Sequence, residues 1–377
     1  MHIAIFETDH FEGAYPVIRA FDVNQTRITI FTYESAYRQF LFLFNGQMDR
    51  YVWIVKSQKE SKNHFIWRMV KAVKEENISL IYFNTIANNY PSYVTAMMMM
   101  KARKIVTIHD INAHFRPLLS VNFRRQIRQW GRWLLVHTAK EFNVVGQPML
   151  EQLSRRLSHE KKVYCVPGAV FEMEQRDSRL FSPEQIKIVI PGSVDSRRRN
   201  YDEVFLLLKQ ANELSVPLVI YLLGGISMEF GKDILARCLE YSRNLSNLIF
   251  YPVNIVDQPE FDKVMIASDF VWIPSRIRTN LTDGIEEIYG ETVSSGSIFE
   301  VIKHAKPFIV PASLQIDQFL VSSCVRYSRI IEITEFLSKI REQPELYRNL
   351  SKKAFSNSSQ YRVQNIRDRN PGLFSML

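Results

Sequence analysis

Short apolar runs rich in β-branched residues alternate, in the first half of the chain, with longer stretches whose apolar residues recur three and four positions apart. The short runs predict β-strands, and the longer stretches predict amphipathic helices. The predicted strands are Ile3–Glu7, Arg27–Tyr33, Tyr51–Val55, Ile78–Phe83, Lys104–His109 and Asn143–Gly146. The predicted helices are Phe65–Val73, Tyr93–Ala102 and Phe123–Thr138. Because the strands are apolar almost throughout, we expect a parallel sheet covered by helices on both faces.

The same order returns after Phe171–Glu184, a polar segment that we interpret as a linker. The predicted strands there are Ile186–Pro191, Leu218–Leu223, Leu248–Tyr251, Phe270–Ile273 and Phe308–Val310. The predicted helices are Tyr201–Leu214, Asp233–Ser242, Pro259–Ala267, Gly296–His304, Ile331–Arg341 and Pro344–Ser356. The predicted fold class is α/β, with two doubly wound domains at 1–175 and 176–357. The tail at 358–377 is expected to form a helix that packs back on the first domain, or to fray.

Composition narrows the class of protein. A chain of 377 residues has room for two domains, and 46% hydrophobic with 23% charged residues is the usage of a globular protein. The three cysteines are widely separated and odd in number, which favours a reducing compartment over a disulfide framework or a zinc site. The first apolar run ends at Glu7, too early for a signal peptide, and no run approaches the roughly 20 apolar residues of a membrane span. We therefore expect a cytoplasmic protein.

The segment with the most candidate ligand-binding residues is Ser294–Ser297, a loop of small hydroxyl residues and glycine. It leads into the predicted helix Gly296–His304. Free amides and the helix dipole converge at such a start and suit a diphosphate. Glu300 follows about one turn later, where a carboxylate can accept hydrogen bonds from a ribose diol. The alternative is that Ser294 or Ser297 only caps the helix and that Glu300 only favours its early turns.

A second candidate segment follows the predicted strand Ile186–Pro191. The strand ends at Gly192, and Arg197, Arg198 and Arg199 precede the next helix. A guanidinium at the carboxyl end of a strand can pair with phosphate oxygens. The alternative is a solvated basic loop.

Three segments together carry a family resemblance: Pro191–Asp195 with its arginines, Leu223-Gly224-Gly225, and Tyr289–Pro307. Their order and spacing, over roughly Ile186–Pro311, resemble the donor half of GT-B glycosyltransferases, especially the large retaining family with a glycogen-synthase-like C-terminal domain. The resemblance implies two Rossmann-like domains facing across a cleft, with the nucleotide-sugar bound mainly by the second, the acceptor mainly by the first, and no essential metal. It also implies that Gly192, Gly224 and Gly225 contact the donor, that Arg198 holds the diphosphate, and that Glu300 binds the ribose. By the same resemblance, the phosphate and sugar are lined by Ser294, Ser295, Gly296 and Ser297.

The sequence departs from the family pattern at two places. The family has two glutamates eight positions apart around this helix, but Thr292 stands eight before Glu300 and Glu291 is one position off. Either Glu291 reaches the donor sugar after a small loop shift, or Thr292 replaces it with a neutral contact. The arginine that often follows the glycine of the first motif is Ser193 here.

In the first half, His109 and Asp110 end a predicted strand, where similar enzymes carry a histidine or carboxylate near the reacting sugar. The resemblance implies that they orient an acceptor hydroxyl or stabilise developing charge. A structural role for the histidine is the alternative. The loop after the first strand has one glycine, Gly13, where similar enzymes have a glycine-rich acceptor loop. Asp9, His10, Glu12 and Gly13 are the candidates for acceptor contact.

The formal charge of +9 allows anionic partners, and the segment Ile111–Lys140 contains no acidic residue. In the predicted helix Phe123–Thr138, apolar and basic residues recur at helical spacing. The helix therefore either rests on anionic lipid, through Arg124, Arg125, Arg128 and Arg132, or packs its apolar face in the core with its arginines solvated. Nucleic acid is not expected, because no binding motif accompanies the charge.

The sequence thus predicts a metal-independent, hexosyltransferase-type glycosyltransferase without a cofactor. Its expected partners are a nucleotide-sugar donor and a glycan or lipid-linked acceptor, in polysaccharide or glycoconjugate biosynthesis. Its expected location is the cytoplasm, including the inner face of the membrane. Two alternatives stay open: a nucleotide-sugar epimerase of the same two-domain shape, and a non-catalytic relative that binds nucleotide-sugar or membrane.

Overall fold

The computed structural model describes residues 1–23, 25–44, 46–115, 122–175, 181–243, 245–282 and 284–375. The chain packs into two compact units. The first contains Met1–Val170, Thr282–Ser294 and Val363–Leu377, and the second contains Phe171–Leu281 and Ser295–Arg362. The domain boundary predicted at 176 and the middle of the predicted linker, 176–180, lie outside the described residues.

The first unit is built on a seven-stranded parallel sheet. Its elements up to residue 170 are β1 (His2–Glu7), α1 (Phe11–Phe21), β2 (Arg27–Tyr33), α2 (Glu34–Leu43), β3 (Val52–Lys56), α3 (Lys62–Glu75), β4 (Leu80–Phe83), α4 (Tyr90–Met99), β5 (Arg103–Thr107), α5 (Ile111–Phe115), α6 (Phe123–Thr138), β6 (Glu141–Val144), α7 (Gln147–Ser154) and β7 (Lys162–Cys165). The strand order is β3-β2-β1-β4-β5-β6-β7. The order reverses between β1 and β4, the position at which such sheets bind ligands outside the carboxyl ends of their strands.

The second unit has a six-stranded parallel sheet of the order β10-β9-β8-β11-β14-β15. The elements from here on are β8 (Ile186–Pro191), α8 (Tyr201–Glu213), β9 (Leu218–Leu223), α9 (Lys232–Ser242), β10 (Leu248–Phe250), α10 (Gln258–Ala267), β11 (Phe270–Trp272), β12 (Arg278–Thr282), β13 (Ile285–Ile288), α11 (Gly296–His304), β14 (Phe308–Pro311), a 3-10 helix (Gln318–Ser323), β15 (Cys324–Tyr327), α12 (Ile330–Glu342), α13 (Pro344–Ser359), α14 (Val363–Arg369) and α15 (Pro371–Phe374). β13, α14 and α15 belong to the first unit. The strand order of the second unit reverses between β8 and β11.

Burial follows the apolar runs that predicted the strands. Ile3, Ala4, Ile5 and Phe6 of β1 are fully buried, and so is most of β8. Helices on both faces exclude water from a central parallel strand, which explains why these strands carry no polar alternation. No helix in the described part of the chain is long and apolar enough to cross a bilayer.

Helix α1 departs from the prediction. The segment Thr8–Ala14 is expected to be a loop, but the helix begins at Phe11, so Glu12 and Gly13 lie in its first turn. Gly13 and Pro16 weaken a helix in isolation. Burial of Val17, Ile18 and other side chains on the same face supplies the missing stability.

Candidate functional site

The loops after β8 and β9 pack backbone against backbone. Gly192 has a φ of +93°, which favours glycine, and its amide donates to the carbonyl of Leu223 at 2.8 Å. A Cβ on Gly224 would lie 2.2 Å from the carbonyl oxygen of Gly192, and a Cβ on Gly225 would lie 1.8 Å from that of Asn254. This packing accounts for glycine at the three positions predicted to contact the donor, independently of any ligand.

The three consecutive arginines have three different environments. Arg197 donates to the carboxylate of Asp195 at 2.9 Å and lies 3.5 Å from the ring centre of Phe230. Burial alone would raise the pKa of Asp195, but the hydrogen bonds from Arg197 outweigh burial and lower it. The side chain of Arg198 is 45% exposed, and its Nε lies 3.5 Å from the same carboxylate. Arg198 is therefore the most exposed of the three arginines.

Arg199 is buried and ties the loop after β8 to the start of α11. Its guanidinium donates to the carbonyls of Pro191 and Ser193 and, at 3.2 Å, to the hydroxyl of Ser297. Ser297 in turn donates to the Pro191 carbonyl at 2.9 Å. These bonds hold two predicted donor segments, Gly192–Ser193 and Ser297, against each other at the carboxyl edge of the sheet.

The start of α11 is open. Ser295 occupies the position before the helix without a side-chain capping bond, and a Cβ on Gly296 would meet no atom within 4 Å. Ser294 and Ser295 are partly exposed, whereas Ser297 is buried by its bonds to Pro191 and Arg199. No side chain of Ser295 caps the first amides of the helix, and there is open space beside Gly296. Both are features that an anion-binding helix start requires.

Glu300 lies on α11 with 17% of its side chain exposed. Its Oε2 is 3.3 Å from Nε2 of His304, which also lies 3.5 Å from Asp262. Burial opposes ionisation of Asp262, but His304 and Lys303 together lower its pKa to about 2. Glu300 therefore lies beside His304 of its own helix and near Asp262 of α10, and this polar cluster is a structural alternative to a ribose role.

In the first unit, polar groups gather at the carboxyl ends of β1 and β4. The carboxylate of Glu7 is fully buried and accepts hydrogen bonds from the amides of Asp9 and His10 and from the Asn84 side chain at 2.6 Å. Asp9 and His10 are exposed beyond it. Glu7 therefore fixes the backbone that presents two predicted acceptor residues.

His109 joins this group from the loop after β5. Its ring centre lies 5.4 Å from that of His10, and its Nε2 donates to the carbonyl of Asn84 at 2.8 Å. Because a carbonyl only accepts, Nε2 carries the hydrogen and Nδ1 keeps its lone pair. Burial, reinforced by His10, lowers the pKa of His109. A neutral imidazole with Nδ1 available can accept a hydrogen bond or a proton.

Asp110 and Thr292 meet within the first unit. Asp110 pairs as an antiparallel bridge with Val293, and the amide of Ile111 donates to the Thr292 carbonyl at 2.9 Å. Thr292 is only 2% exposed, and its hydroxyl accepts from the amide of Ile288 at 2.7 Å. Its hydroxyl is thus committed to the loop, whereas Glu291 is partly exposed.

Sequence reasoning missed Glu287, a fully buried carboxylate on β13. It accepts hydrogen bonds from the amides of Asn112 and Ala113, at 3.2 and 2.8 Å, and so caps α5 directly after Asp110. Burial is the main reason that the pKa of Glu287 rises to about 7, and the nearby charge of Asp110 raises it further. The hydrogen bonds from Thr292 and from the two amides lower the pKa but do not cancel this rise. The sequence could have revealed Glu287 through the alternation of side chains along a strand, which places Glu287 on the same buried face as Ile285.

We expect Glu287→Gln to flatten the pH dependence of stability. The folded chain binds this proton more tightly than the unfolded chain, so stability falls as pH rises from the ordinary value of 4.5 to about 7. One such group contributes a slope of at most about 1.4 kcal/mol per pH unit. Urea unfolding of both proteins between these two pH values measures the slopes, and parallel curves would contradict the pKa shift.

Arg199 was the second residue that the sequence did not single out. Three arginines in a row give no sign of which one is buried, since each follows a strand end in a polar loop. Among the described residues no cluster of His, Cys, Asp and Glu could hold a metal ion, and metal independence stays a prediction.

No protein-family profile matches the sequence, and no curated protein matches it. Solved structures match it over the whole chain. Sucrose-phosphate synthase from Thermosynechococcus elongatus is 14% identical, with a TM-score of 0.64 over 100% of this chain and 98% of that one. Anabaena HepE, in complex with UDP and glucose, is 12% identical, with a TM-score of 0.65 over 100% of both chains. UDP-GlcNAc 2-epimerase from Neisseria meningitidis, bound to UDP-GlcNAc, is 11% identical, with a TM-score of 0.57 over 99% of this chain and 100% of the epimerase.

Likeness at 11 to 14% identity establishes the fold and nothing finer. The two parallel sheets, with their reversals between β1 and β4 and between β8 and β11, are those of Rossmann-like domains. The predicted fold class is therefore confirmed, and the chain has two Rossmann-like α/β domains in the GT-B fold.

Proposed function

We propose that this protein is a glycosyltransferase that moves a sugar from a nucleotide-sugar donor to an acceptor hydroxyl. The observation that carries the proposal is the set of hydrogen bonds among Arg199, Ser297 and the Pro191 carbonyl. These bonds hold the loop after β8 against the start of α11, at the strand reversal of the second unit. Next to this contact, the side chain of Arg198 is 45% exposed and the start of α11 is open. A cation and a helix start are the two groups that stabilise a departing diphosphate.

The roles of the individual residues belong to the same proposal. Arg198 and the α11 start bind the diphosphate, Glu300 accepts hydrogen bonds from the ribose, and Glu291 or the adjoining serines contact the sugar. In the first unit, His109 and Asp110 act near the reacting centre, while Asp9, His10, Glu12 and Gly13 contact a glycan or lipid-linked acceptor. The reaction retains the anomeric configuration and needs no metal, in the synthesis of a polysaccharide or glycoconjugate. NMR of the product and activity in the presence of a chelator test the last two points.

The test of the donor site is thermal stabilisation by UDP, GDP, ADP, CMP and their sugar conjugates. A ligand at about 100 times its dissociation constant adds roughly 2.7 kcal/mol to the free energy of unfolding. We expect a base-specific shift in the wild type. Absence of a shift with every nucleotide would refute the donor site.

Glu300→Ala is expected to weaken binding of that nucleotide about tenfold, because hydrogen bonds to a charged acceptor contribute about 1.5 to 3 kcal/mol. The control is His304→Ala, which removes the neighbour of Glu300 and leaves the carboxylate in place. An equal loss in both variants would mean that Glu300 acts through its contact with His304 and does not bind the ribose directly. Unchanged affinity in the Glu300→Ala variant would refute the ribose role.

A nucleotide-sugar 2-epimerase is the second candidate, favoured by the likeness to the Neisseria enzyme bound to UDP-GlcNAc. The two reactions separate without an acceptor. An epimerase converts the donor sugar into its epimer in the absence of acceptor, whereas a transferase leaves it unchanged or slowly hydrolyses it. Sugar analysis after incubation with donor alone distinguishes the two.

A further inference from the structure

Helix α6 carries its large apolar side chains on the side that faces solvent. Phe123 is 76% exposed, Ile127 42%, Trp130 53% and Leu134 41%. The spacings of four, three and four residues place these side chains in one stripe along the helix. We call these four residues the apolar stripe. The alternative in which this face packs in the core is therefore wrong.

The opposite face of α6 fastens the helix to its own unit. Gly131 lies against Tyr90 and Pro91 of α4, where a Cβ would come within 2.5 Å of the Tyr90 side chain. Arg132 is only 5% exposed, its Nε donates to the Tyr90 hydroxyl at 3.2 Å, and its guanidinium lies 5.3 Å from the ring centre. The prediction that Arg132 contacts lipid is wrong, because packing against α4 uses this side chain.

Exposed cations lie near the two ends of the helix: Arg124 in its first turn and Lys140 just past its C-terminus. Arg125 and Arg128 are only partly exposed, and Arg128 lies one turn before Arg132, on the side of the helix that faces Tyr90. The sequence contains no acidic residue from Ile111 to Lys140. Trp130 also packs edge-on against Trp133, at 5.8 Å between ring centres, which places two amphipathic rings on this helix. Tryptophan next to a cationic flank is typical of helices that lie in the headgroup region of a bilayer.

We propose that this face of α6 docks the protein on an anionic lipid bilayer. The apolar stripe enters the boundary between headgroups and acyl chains, while Arg124 and Lys140, near the two ends of the helix, pair with lipid phosphates. A second copy of the chain fits this surface less well, because a two-fold contact along α6 would bring both sets of cations together. The inference rests on the first unit alone and does not depend on the proposed sugar transfer.

The experiment uses the full-length chain and large unilamellar vesicles of phosphatidylcholine, with or without about 30% phosphatidylglycerol. We expect cosedimentation with the anionic vesicles, weakened about tenfold at roughly 0.5 M salt, where charges are screened within a few ångströms. Brominated lipid should quench tryptophan fluorescence in the wild type. This readout requires no mutation. Failure to bind anionic vesicles at low salt would overturn the proposal.

Two variants separate insertion from simple charge attraction. Ile127→Ser with Trp130→Ser should lower the partition coefficient about tenfold or more, and Arg124→Gln with Lys140→Gln should lower it about tenfold. The matched control is Met228→Ser with Ile255→Ser, since these side chains are 68% and 73% exposed in the second unit. Normal binding by the stripe variant would overturn the proposal. So would a wild-type oligomer that the stripe variant dissociates in the absence of vesicle binding.

Discussion

Replacement of Arg199 by methionine is expected to lower the free energy of unfolding by about 2 to 4 kcal/mol, because it leaves buried carbonyl acceptors without their donor. The Ser193 carbonyl loses its bond of 2.6 Å, and the loop after β8 is no longer tied to Ser297. If this loop presents Arg198 to a diphosphate, affinity for the nucleotide should fall about tenfold as well, since misplaced groups bind weakly. Urea unfolding and nucleotide titration measure the two effects.

Arg198→Met is the matched control, one residue away. The side chain of Arg198 is 45% exposed, and its ion pair with Asp195 is long, at 3.5 Å. Surface pairs of this kind contribute about 0 to 1 kcal/mol, so stability should hardly change. Nucleotide affinity should still fall, because a direct charge on the phosphate is lost. Unchanged affinity in the Arg198→Met variant would remove Arg198 from the proposed site. Unchanged stability in the Arg199→Met variant would show that the hydrogen bonds of Arg199 do not hold the loop after β8 in place.

Gly224→Ala is expected to destabilise the second unit by about 3 kcal/mol or more, because overpacking against backbone cannot be relieved by a rotamer change. The added Cβ would lie 2.2 Å from the Gly192 oxygen and 2.9 Å from the Ser193 amide nitrogen. Relief of the clash requires the loops after β8 and β9 to separate. Thermal unfolding followed by circular dichroism measures the loss.

Gly296→Ala should have the opposite profile. A Cβ there meets nothing within 4 Å, and alanine favours a helix over glycine by about 1 kcal/mol, so stability should be equal or higher. If a phosphate occupies the open helix start, the same methyl group should reduce nucleotide affinity. A variant that binds nucleotide like the wild type would show that the ligand lies elsewhere.

Elements with a strong period were predictable from the sequence. The bounds of β8, β9 and α11 agree with prediction, because each combines buried apolar residues with a clear glycine, proline or polar boundary. The bounds of α6 also agree, because its apolar residues recur at helical spacing although they face solvent. Helix α2 was missed since Leu41 and Phe42 are exposed, and these two side chains blur its apolar stripe. Helix α1 was missed because Gly13 and Pro16 count against a helix locally, while tertiary burial decides.

For the candidate site, the sequence located the loops but not the side chains that hold them. Motif spacing indicated the segments around Gly192 and Ser297. Which arginine is buried depends on atoms that come from other parts of the chain, such as Ser297 for Arg199, and no local pattern encodes that. The orientation of α6 was ambiguous for a related reason. Its two faces both carry large side chains, and contacts with α4, where Gly131 and Arg132 pack against Tyr90, show which face turns inward.

The first unit is built from three separate segments of the chain, the last of which begins at Val363, and this limits when it can fold during synthesis. The carbonyl of Gly372 accepts a hydrogen bond from Arg103 at 2.8 Å, the Asn370 side chain accepts one from the Cys165 amide at 2.9 Å, and Leu373 is fully buried. The ribosome must therefore finish the entire second unit before the first can close its core. Until then the nascent N-terminal sheet exposes apolar surface that chaperones bind. A stop codon shortly before residue 366 would leave that surface permanently uncovered and mark the product for degradation.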